Sequence, residues 1–211
     1  GATNFWSDTN TCSISYIEYD GNGVHTFVDC GTSTHIISGS ERSDLIVSSF
    51  SNGGYFTNDF HCVLADDASI SCWGQDPFGQ VGSVPAGTFS QVATGDHGSC
   101  ALSTSGAVHC WGIDYDNQVS NAPTGTYSKI YAGHYTYCAL NSSGSATCWG
   151  ENNRGQANAP SGNFSDIQMS RDHVCGLETS GDIECWGLSN HGQGSPPSGS
   201  FNKIDVGNSH S

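Results

Sequence analysis

The sequence predicts an all-β fold, a β-propeller built from blades of about 38 residues, and three observations lead to this prediction. A Cys–Trp–Gly triplet recurs along the chain at steps of 38, 38 and 37 residues. A second cysteine precedes each triplet, with nine residues between the two cysteines. The 28 glycines, with abundant Ser, Thr and Asn, suit short strands joined by turns and give helices little support.

Each repeat carries the same landmarks after its triplet. In the stretch that follows Cys110 they are Gln118, Pro123, Gly125, Tyr127 and Ile130. Segments such as FSQVATG and FNKIDVG alternate like a first strand, SCALS predicts a second, and GAVHCWG predicts a third after a Ser–Gly turn. Three or four short strands in a fixed period of this size favour a propeller blade.

The ten cysteines are predicted to form one disulfide in each hairpin. Cys100 and Cys110 are equidistant from Ser105, and residues equidistant from a turn face each other across a two-stranded hairpin. Cys12 and Cys30 are equidistant from Gly21 in the turn sequence YDGNGV. The predicted pairs are Cys12–Cys30, Cys62–Cys72, Cys100–Cys110, Cys138–Cys148 and Cys175–Cys185. With no Cys-x2-Cys zinc spacing, this pattern indicates an oxidising, extracellular or cell-surface location.

The tryptophan of each triplet follows the second cysteine directly, so it points to the opposite face of the strand. In a propeller that face packs on a neighbouring blade. We therefore predict structural, buried positions between blades for four tryptophans: Trp73, Trp111, Trp149 and Trp186.

The chain is predicted to be a single propeller domain over residues 1–211. Residues 58–211 hold the regular repeats, the last of them incomplete, and about five units are visible. Residues 1–57 are interpreted as a degenerate first blade, with an outer strand and a long loop in 32–58, serving either as a cap or as a partner-binding insert. Residues 199–211 carry a first-strand signature without a hairpin. Three alternatives stay open for them: a continuation in a longer ring, closure on the first hairpin, or pairing with another subunit.

Charge and motifs exclude several classes of function. The net charge is −15 and the five basic residues are scattered, which excludes a nucleic-acid interface and disfavours an anionic membrane surface. The sequence contains no apolar run of about 18 residues, so no segment is predicted to insert into a membrane. No catalytic motif, phosphate-binding loop or cofactor site is recognised, and we expect structural roles for His97, His134, His173 and His210.

Two short acidic turns and two sequons are the remaining candidate sites. The sequences DGNG and DYDN offer oxygen ligands for Ca²⁺ at Asp20, Asp114 and Asp116, although neither follows the full twelve-residue calcium loop and turn chemistry explains both. Asn141 and Asn163 lie in Asn-x-Ser sequons and are candidates for N-glycosylation.

The motif G-x-x-x-x-C-A-L-x-x-x-G-x-x-x-C-W-G-x-x-x-x-G-Q resembles the repeat of the regulator of chromosome condensation family. Its Cys-paired form is similar to the extracellular repeats of plant crinkly receptor-like kinases and of secreted bacterial repeat proteins. The resemblance implies a propeller, usually of seven blades, whose loops bind another macromolecule. Family members exchange nucleotides on a small GTPase, inhibit enzymes or act as receptor ectodomains, so the fold alone does not assign a function. The paired cysteines argue against the cytosolic and nuclear members' exchange role.

These observations favour a non-catalytic extracellular module that binds a protein partner or serves as a scaffold. The alternative is a structural subunit that self-assembles into an extracellular filament or coat through edge strands. A hydrolase on a propeller scaffold is a third interpretation, for which no constellation of residues is recognised.

Overall fold

Short antiparallel strands make up the fold, as the repeat pattern predicts. The computed structural model describes residues 13–20, 23–29, 34–38, 45–47, 60–65 and 67–207. The strands are β1 (Ser13–Asp20), β2 (Gly23–Asp29), β3 (Thr34–Ser38), β4 (Leu45–Val47), β5 (Phe60–Leu64), β6 (Ile70–Gly74), β7 (Phe89–Thr94), β8 (Gly98–Ser103), β9 (Val108–Gly112), β10 (Lys129–Ala132), β11 (Thr136–Leu140), β12 (Ala146–Gly150), β13 (Phe164–Met169), β14 (His173–Glu178) and β15 (Ile183–Gly187). The described residues contain no helix, and hence none long and apolar enough to cross a bilayer.

The regular repeats form three separate three-stranded sheets, each in chain order. They are β7-β8-β9, β10-β11-β12 and β13-β14-β15, and all neighbours are antiparallel. Strands β1 to β6 form one six-stranded sheet, also in chain order. We number the units 1 to 5 by their cysteine hairpins: β1/β2, β5/β6, β8/β9, β11/β12 and β14/β15. The all-β, blade-like architecture is confirmed, whereas the number of blades and the domain boundaries stay predictions.

The first hairpin forms at its predicted turn, but its paired residues are equidistant from Gly21 only beyond a register shift between Ile14 and Tyr16. Asp20 pairs with Gly23, and the ladder runs down to Ser13 opposite Asp29. Cys12 and Cys30 lie just beyond that pair, outside the described residues. The segment predicted to hold an outer strand and a long loop contains two strands, β3 and β4. Strand β3 pairs with β2, and β4 pairs with β3. Strand β4 also contacts β5, which joins unit 1 to unit 2.

The four predicted disulfides of units 2 to 5 are present. They join Cys62 to Cys72, Cys100 to Cys110, Cys138 to Cys148 and Cys175 to Cys185. In every case the two cysteines are direct partners in the antiparallel register, with Cα atoms 4.0 to 4.1 Å apart. The hairpin geometry therefore places the sulfurs together without bending either strand.

Disulfides and tryptophans of successive units pack against each other. The cluster that contains Cys100 of unit 3 also contains Tyr137 and Trp149 of unit 4. Cys62 of unit 2 shares a cluster with Trp111 of unit 3 in the same way. In units 2 to 4 the disulfide thus faces the following unit, and Trp111, Trp149 and Trp186 face the preceding one, as the alternation of neighbouring strand positions requires.

The tryptophans differ in how deeply they are buried. Trp111 and Trp149 are buried, with 4% and 6% of their surface exposed. Trp73 and Trp186 are only partly buried, so the prediction of four equivalent buried sites is too uniform. Trp186 nevertheless packs against Phe164, with ring centroids 5.8 Å apart.

A hydrogen bond fixes each of three tryptophans to the unit before it. The indole Nε1 of Trp111 donates to the backbone carbonyl of Gln80 at 2.8 Å, and Trp149 donates to Gln118 at 2.9 Å. Trp186 donates to Gln156 at 2.9 Å. The conserved spacing of Gln within the repeat therefore has an inter-unit role, because each of these carbonyls is the acceptor for the next unit.

Residues 199–207 lie against unit 5 without forming a strand. The N–H of Phe201 donates to the carbonyl of Gly181 at 2.8 Å, and Ile204 is buried against Cys175 and Leu177. The first-strand signature thus determines the packing of this segment but not its pairing. In the regular units that strand pairs with a second strand of its own unit, as β7 does with β8.

Peptide mapping without reduction is expected to recover each disulfide within its own hairpin. Cys12–Cys30 is included in this prediction, because the β1/β2 register ends directly beside both residues. Mass spectrometry of proteolytic fragments measures the linkage. Any abundant peptide that joins cysteines of two different units would contradict the hairpin assignment.

Candidate binding face

Chain topology brings two sets of loops to the same end of every regular sheet. The first strand ends where the second begins, and the third strand runs antiparallel to the second, so it ends at that edge too. We call this end the loop face and define it as residues 75–80, 95–97, 113–118, 133–135, 151–156 and 170–172. The turns between second and third strands, 104–107, 141–145 and 179–182, lie at the opposite end.

Five ring-bearing side chains form a continuous row across the loop face, which we call the aromatic row: Tyr115, Phe78, His97, Tyr135 and His134. The Phe78 ring lies 6.2 Å from Tyr115 and 5.1 Å from His97, measured between centroids. His97 lies 5.7 Å from Tyr135, which is 4.0 Å from His134. The row joins units 2, 3 and 4, so its geometry depends on how the units pack.

A close His–Asp contact between two units borders the aromatic row. The Nε2 of His134 in unit 4 lies 2.6 Å from Oδ2 of Asp96 in unit 3. The backbone N–H of Asp96 also donates to the carbonyl of His134 at 3.1 Å. These two contacts tie the turns of neighbouring units together and hold His134 beside Tyr135.

The surroundings of Tyr135 are acidic. Burial raises the pKa of its hydroxyl above the ordinary value, and the carboxylates of Asp96, Asp116 and Glu151 raise it further. Arg171 is the one basic side chain that acts in the opposite direction on this group. The potential at this part of the loop face is therefore negative, in line with the net charge of −15.

Tyr115 is the exposed end of the aromatic row. It keeps 76% of its surface accessible, whereas Phe78, His97, His134 and Tyr135 are partly buried. Among the described residues it is the one large apolar side chain with this degree of exposure. An exposed aromatic ring that continues into a partly buried row is available for contact with a partner without loss of core packing.

Hydrogen bonds from backbone N–H groups to side-chain oxygens hold the loops that carry these rings. The amide oxygen of Gln80 accepts from the N–H of Phe78 at 2.9 Å, and that of Gln118 accepts from Asp116 at 2.8 Å. The carboxylate of Asp114 accepts from the N–H groups of Val119 and Ser120 at 2.8 and 3.1 Å. Phe78, Tyr115 and Asp116 therefore project from ordered loops.

The residues of two successive repeats match a known family. The model of the Regulator of chromosome condensation (RCC1) repeat matches residues 89–118 and 127–156. Two successive repeats of this chain are thus similar to the RCC1 repeat. No curated protein sequence matches it.

Solved structures support the same RCC1-like propeller fold. The ectodomain of the receptor kinase CR4 from Physcomitrella patens is similar, with a TM-score of 0.63 and 21% identity, over 88% of this chain and 54% of that one. The ectodomain of ACR4 from Arabidopsis thaliana gives 0.58 and 22%, over 84% and 66%. Prp20p from Saccharomyces cerevisiae gives 0.57 and 12%, over 90% and 62%. The chain thus spans between about half and two thirds of the length of these structures.

Two of the three calcium candidates, Asp114 and Asp116, take part in other interactions. Burial alone would raise the pKa of Asp114, but the hydrogen bonds from Ser120 and Val119 leave it lowered, since they favour the charged carboxylate. Asp116 belongs to the acidic surroundings of Tyr135. Asp20 ends β1, and its side chain lies outside the described residues. No group of three metal-ligating side chains occurs in the described part of the chain.

The two sequons lie away from the aromatic row. Asn141 is in a turn at the opposite end of unit 4, where its Oδ1 accepts hydrogen bonds from the N–H groups of Ser143 and Ser145. Asn163 is exposed just before β13. Asn141 is partly buried and Asn163 is exposed, and the glycosylation of both stays a prediction.

A Ser–His contact in unit 5 has a structural environment. Ser170 Oγ lies 2.7 Å from Nδ1 of His173, but both residues are buried. The same Oγ also donates to the carbonyl of His173 and accepts from its N–H. This hydroxyl therefore closes a turn, and a nucleophile would need access that burial denies it.

Sequence reasoning assigned His97 and His134 structural roles and did not single out Phe78, Tyr115 or Tyr135 as site residues. The sequence contains little indication of the aromatic row, because its five members do not share one position in the repeat. His97 lies three residues before its cysteine and His134 four, while Tyr135 takes the place of His97. The side chains that hold the loops by accepting backbone N–H groups are Asp76, Asp114 and Asn152. Their shared position could be read from the sequence, because each lies two residues after the triplet glycine.

Stability is expected to fall as the pH drops below about 6.5, and His97 contributes to the loss. Burial lowers the pKa of its imidazole from 6.5; Asp96 opposes this and His134 adds to it. The unfolded chain then binds the proton more readily than the folded chain, so protonation favours unfolding. Urea unfolding of the wild type and of His97→Phe between pH 7.5 and 5 measures this contribution. The variant should lose less stability than the wild type over this interval, and an equal loss in both would contradict the assignment.

Proposed function

We propose that this chain is a non-catalytic extracellular module that binds a protein partner through its loop face. The observation that carries the proposal is the aromatic row, which ends in an exposed tyrosine and is held by ordered loops. Side chains of the blade interior are used in packing, whereas Tyr115 and its acidic neighbours are not. Four intra-hairpin disulfides support an oxidising location.

The similar structures agree with a binding role. Two of them are receptor kinase ectodomains, and Prp20p has been studied for its binding to Gsp1p and histones. Those properties belong to these proteins, and their low identity to the present chain carries over the propeller fold alone.

Site-specific photo-cross-linking in the medium of the producing organism tests the proposal. A benzophenone amino acid is placed at Tyr115 on the loop face and, as a matched control, at the exposed Ser142 at the opposite end. We expect a heterologous protein cross-linked from position 115 and not from position 142. Cross-links from position 142 alone would overturn the assignment of the loop face.

The same experiment distinguishes the binding module from the alternative, a structural subunit of an extracellular assembly. An assembly built from copies of this chain would give cross-links between identical chains and an ordered polymer by size-exclusion chromatography. That result would replace the binding-module proposal with a filament or coat subunit.

A further inference from the structure

We propose that the aromatic row binds a cationic peptide segment, in which an Arg or Lys side chain stacks on the exposed ring of Tyr115 and neighbouring basic side chains pair with the carboxylates beside it. This inference rests on the proposed function and names the chemistry of the partner at the same face.

The rings provide platforms for cations. Tyr115 presents its ring with 76% of its surface exposed, and Phe78 supports it edge-on at 6.2 Å. An edge-to-face neighbour fixes the orientation of a ring and leaves its other face free for a ligand. A guanidinium or ammonium group over such a face gains about 0.5–2 kcal/mol, depending on how far it is desolvated.

The charges select a cation over other ligands. Asp96, Asp116 and Glu151 surround Tyr135 closely enough to raise the pKa of its hydroxyl, with Arg171 as the opposing charge. Asp96 is already paired with His134, and Oε1 of Glu151 accepts a hydrogen bond from Asn153, which leaves Asp116 and the second oxygen of Glu151 for a ligand. An anionic segment would be repelled here, and a neutral one would gain from the rings alone.

The access suits an extended segment more than a compact ligand. The row connects the loop ends of units 2, 3 and 4, from Tyr115 of unit 3 through Phe78 of unit 2 to the two rings of unit 4, with successive ring centroids 6.2, 5.1, 5.7 and 4.0 Å apart. Alternate side chains of an extended chain lie about 7 Å apart on one face. A peptide with a basic residue at every second position keeps its basic side chains on one face, toward Tyr115 and the carboxylates, and so matches the sign of the charge.

Fluorescence anisotropy on the full chain tests the proposal directly. The probes are a fluorescein-labelled decapeptide of alternating Arg and Gly, the same peptide with citrulline in place of Arg, and one with Glu. At 150 mM salt, where exposed charges beyond about 8 Å are largely screened, we expect the Arg peptide to bind at least tenfold more tightly than the citrulline peptide. Equal binding of the Arg and citrulline peptides would overturn the inference.

Matched variants separate the site from the overall charge. Tyr115→Ala leaves the net charge unchanged and should weaken binding of the Arg peptide about 3- to 10-fold, while Tyr115→Phe retains it. Asp116→Asn should weaken it similarly. Asp182→Asn, which removes the same charge at the opposite end of unit 5, should change the affinity less than twofold. Equal losses for the two Asp variants would show attraction to the whole acidic chain and overturn the site.

Two further outcomes are informative. A glycan array that shows Tyr115-dependent binding, with no binding of the Arg peptide, would replace the cationic segment with a carbohydrate. A heterologous protein cross-linked at position 115 that does not compete with the Arg peptide would overturn this inference and leave the proposed function intact.

Discussion

Replacement of Trp111 by alanine is expected to lower the free energy of unfolding by about 3–5 kcal/mol, as for other large core truncations. The ring is buried in a cluster with Phe60, Cys62 and Phe89, so its loss opens a cavity between units 2 and 3. The indole hydrogen bond to the carbonyl of Gln80 is lost as well. Urea unfolding monitored by far-ultraviolet circular dichroism measures the change.

Two control variants separate packing from hydrogen bonding. Trp111→Phe retains much of the apolar ring but leaves the Gln80 carbonyl without its donor, so it should cost about 1–3 kcal/mol. Trp186→Ala should cost less than Trp111→Ala, because Trp186 is only partly buried. A loss below about 1 kcal/mol for Trp111→Ala would mean that the ring does not pack between units.

Replacement of Gly150 by alanine is expected to cost about 3 kcal/mol or more, for two reasons that act together. This glycine has a φ of +93°, in the region where a Cβ is unfavourable. A Cβ there would also meet the carbonyl oxygen of Tyr135 and lie 3.2 Å from Cβ of Gln118. The carbonyl cannot move freely, because it accepts the N–H of Glu151 at 2.9 Å.

Gly192 offers a control with the same backbone strain and no collision. Its φ is +87°, and a Cβ built on it meets nothing within 4 Å. Gly192→Ala should therefore cost only about 1–2 kcal/mol, the conformational penalty alone. Thermal and urea unfolding of both variants give the difference. Equal losses would show that φ alone makes the triplet glycine necessary.

The effect of Gly150→Ala reaches the loop face as well. Displacement of the Tyr135 carbonyl would shift its ring relative to His97 and His134, and so disturb the aromatic row. The variant is thus expected to bind the Arg–Gly decapeptide more weakly than Gly192→Ala does. Stability and binding are linked here, since the glycine that ends β12 supports the turn that carries Tyr135.

The sequence by itself determined the repeat, the strands and the pairing of the cysteines. These features are local: the register of a hairpin follows from its turn, so Cys100 and Cys110 meet because both are five residues from Ser105. The alternation of Cys110 and Trp111 between two faces is equally local, because successive side chains of a strand point in opposite directions.

Only the tertiary structure decided what the landmarks contact and where the candidate binding face lies. The repeated Gln is visible in the sequence, but its carbonyl meets a tryptophan 30 or 31 residues away because adjacent units pack against each other. The aromatic row joins Phe78, Tyr115 and Tyr135 from three units at unrelated repeat positions. Their proximity comes from packing between units, which depends on side chains distant in sequence, and no local pattern specifies it.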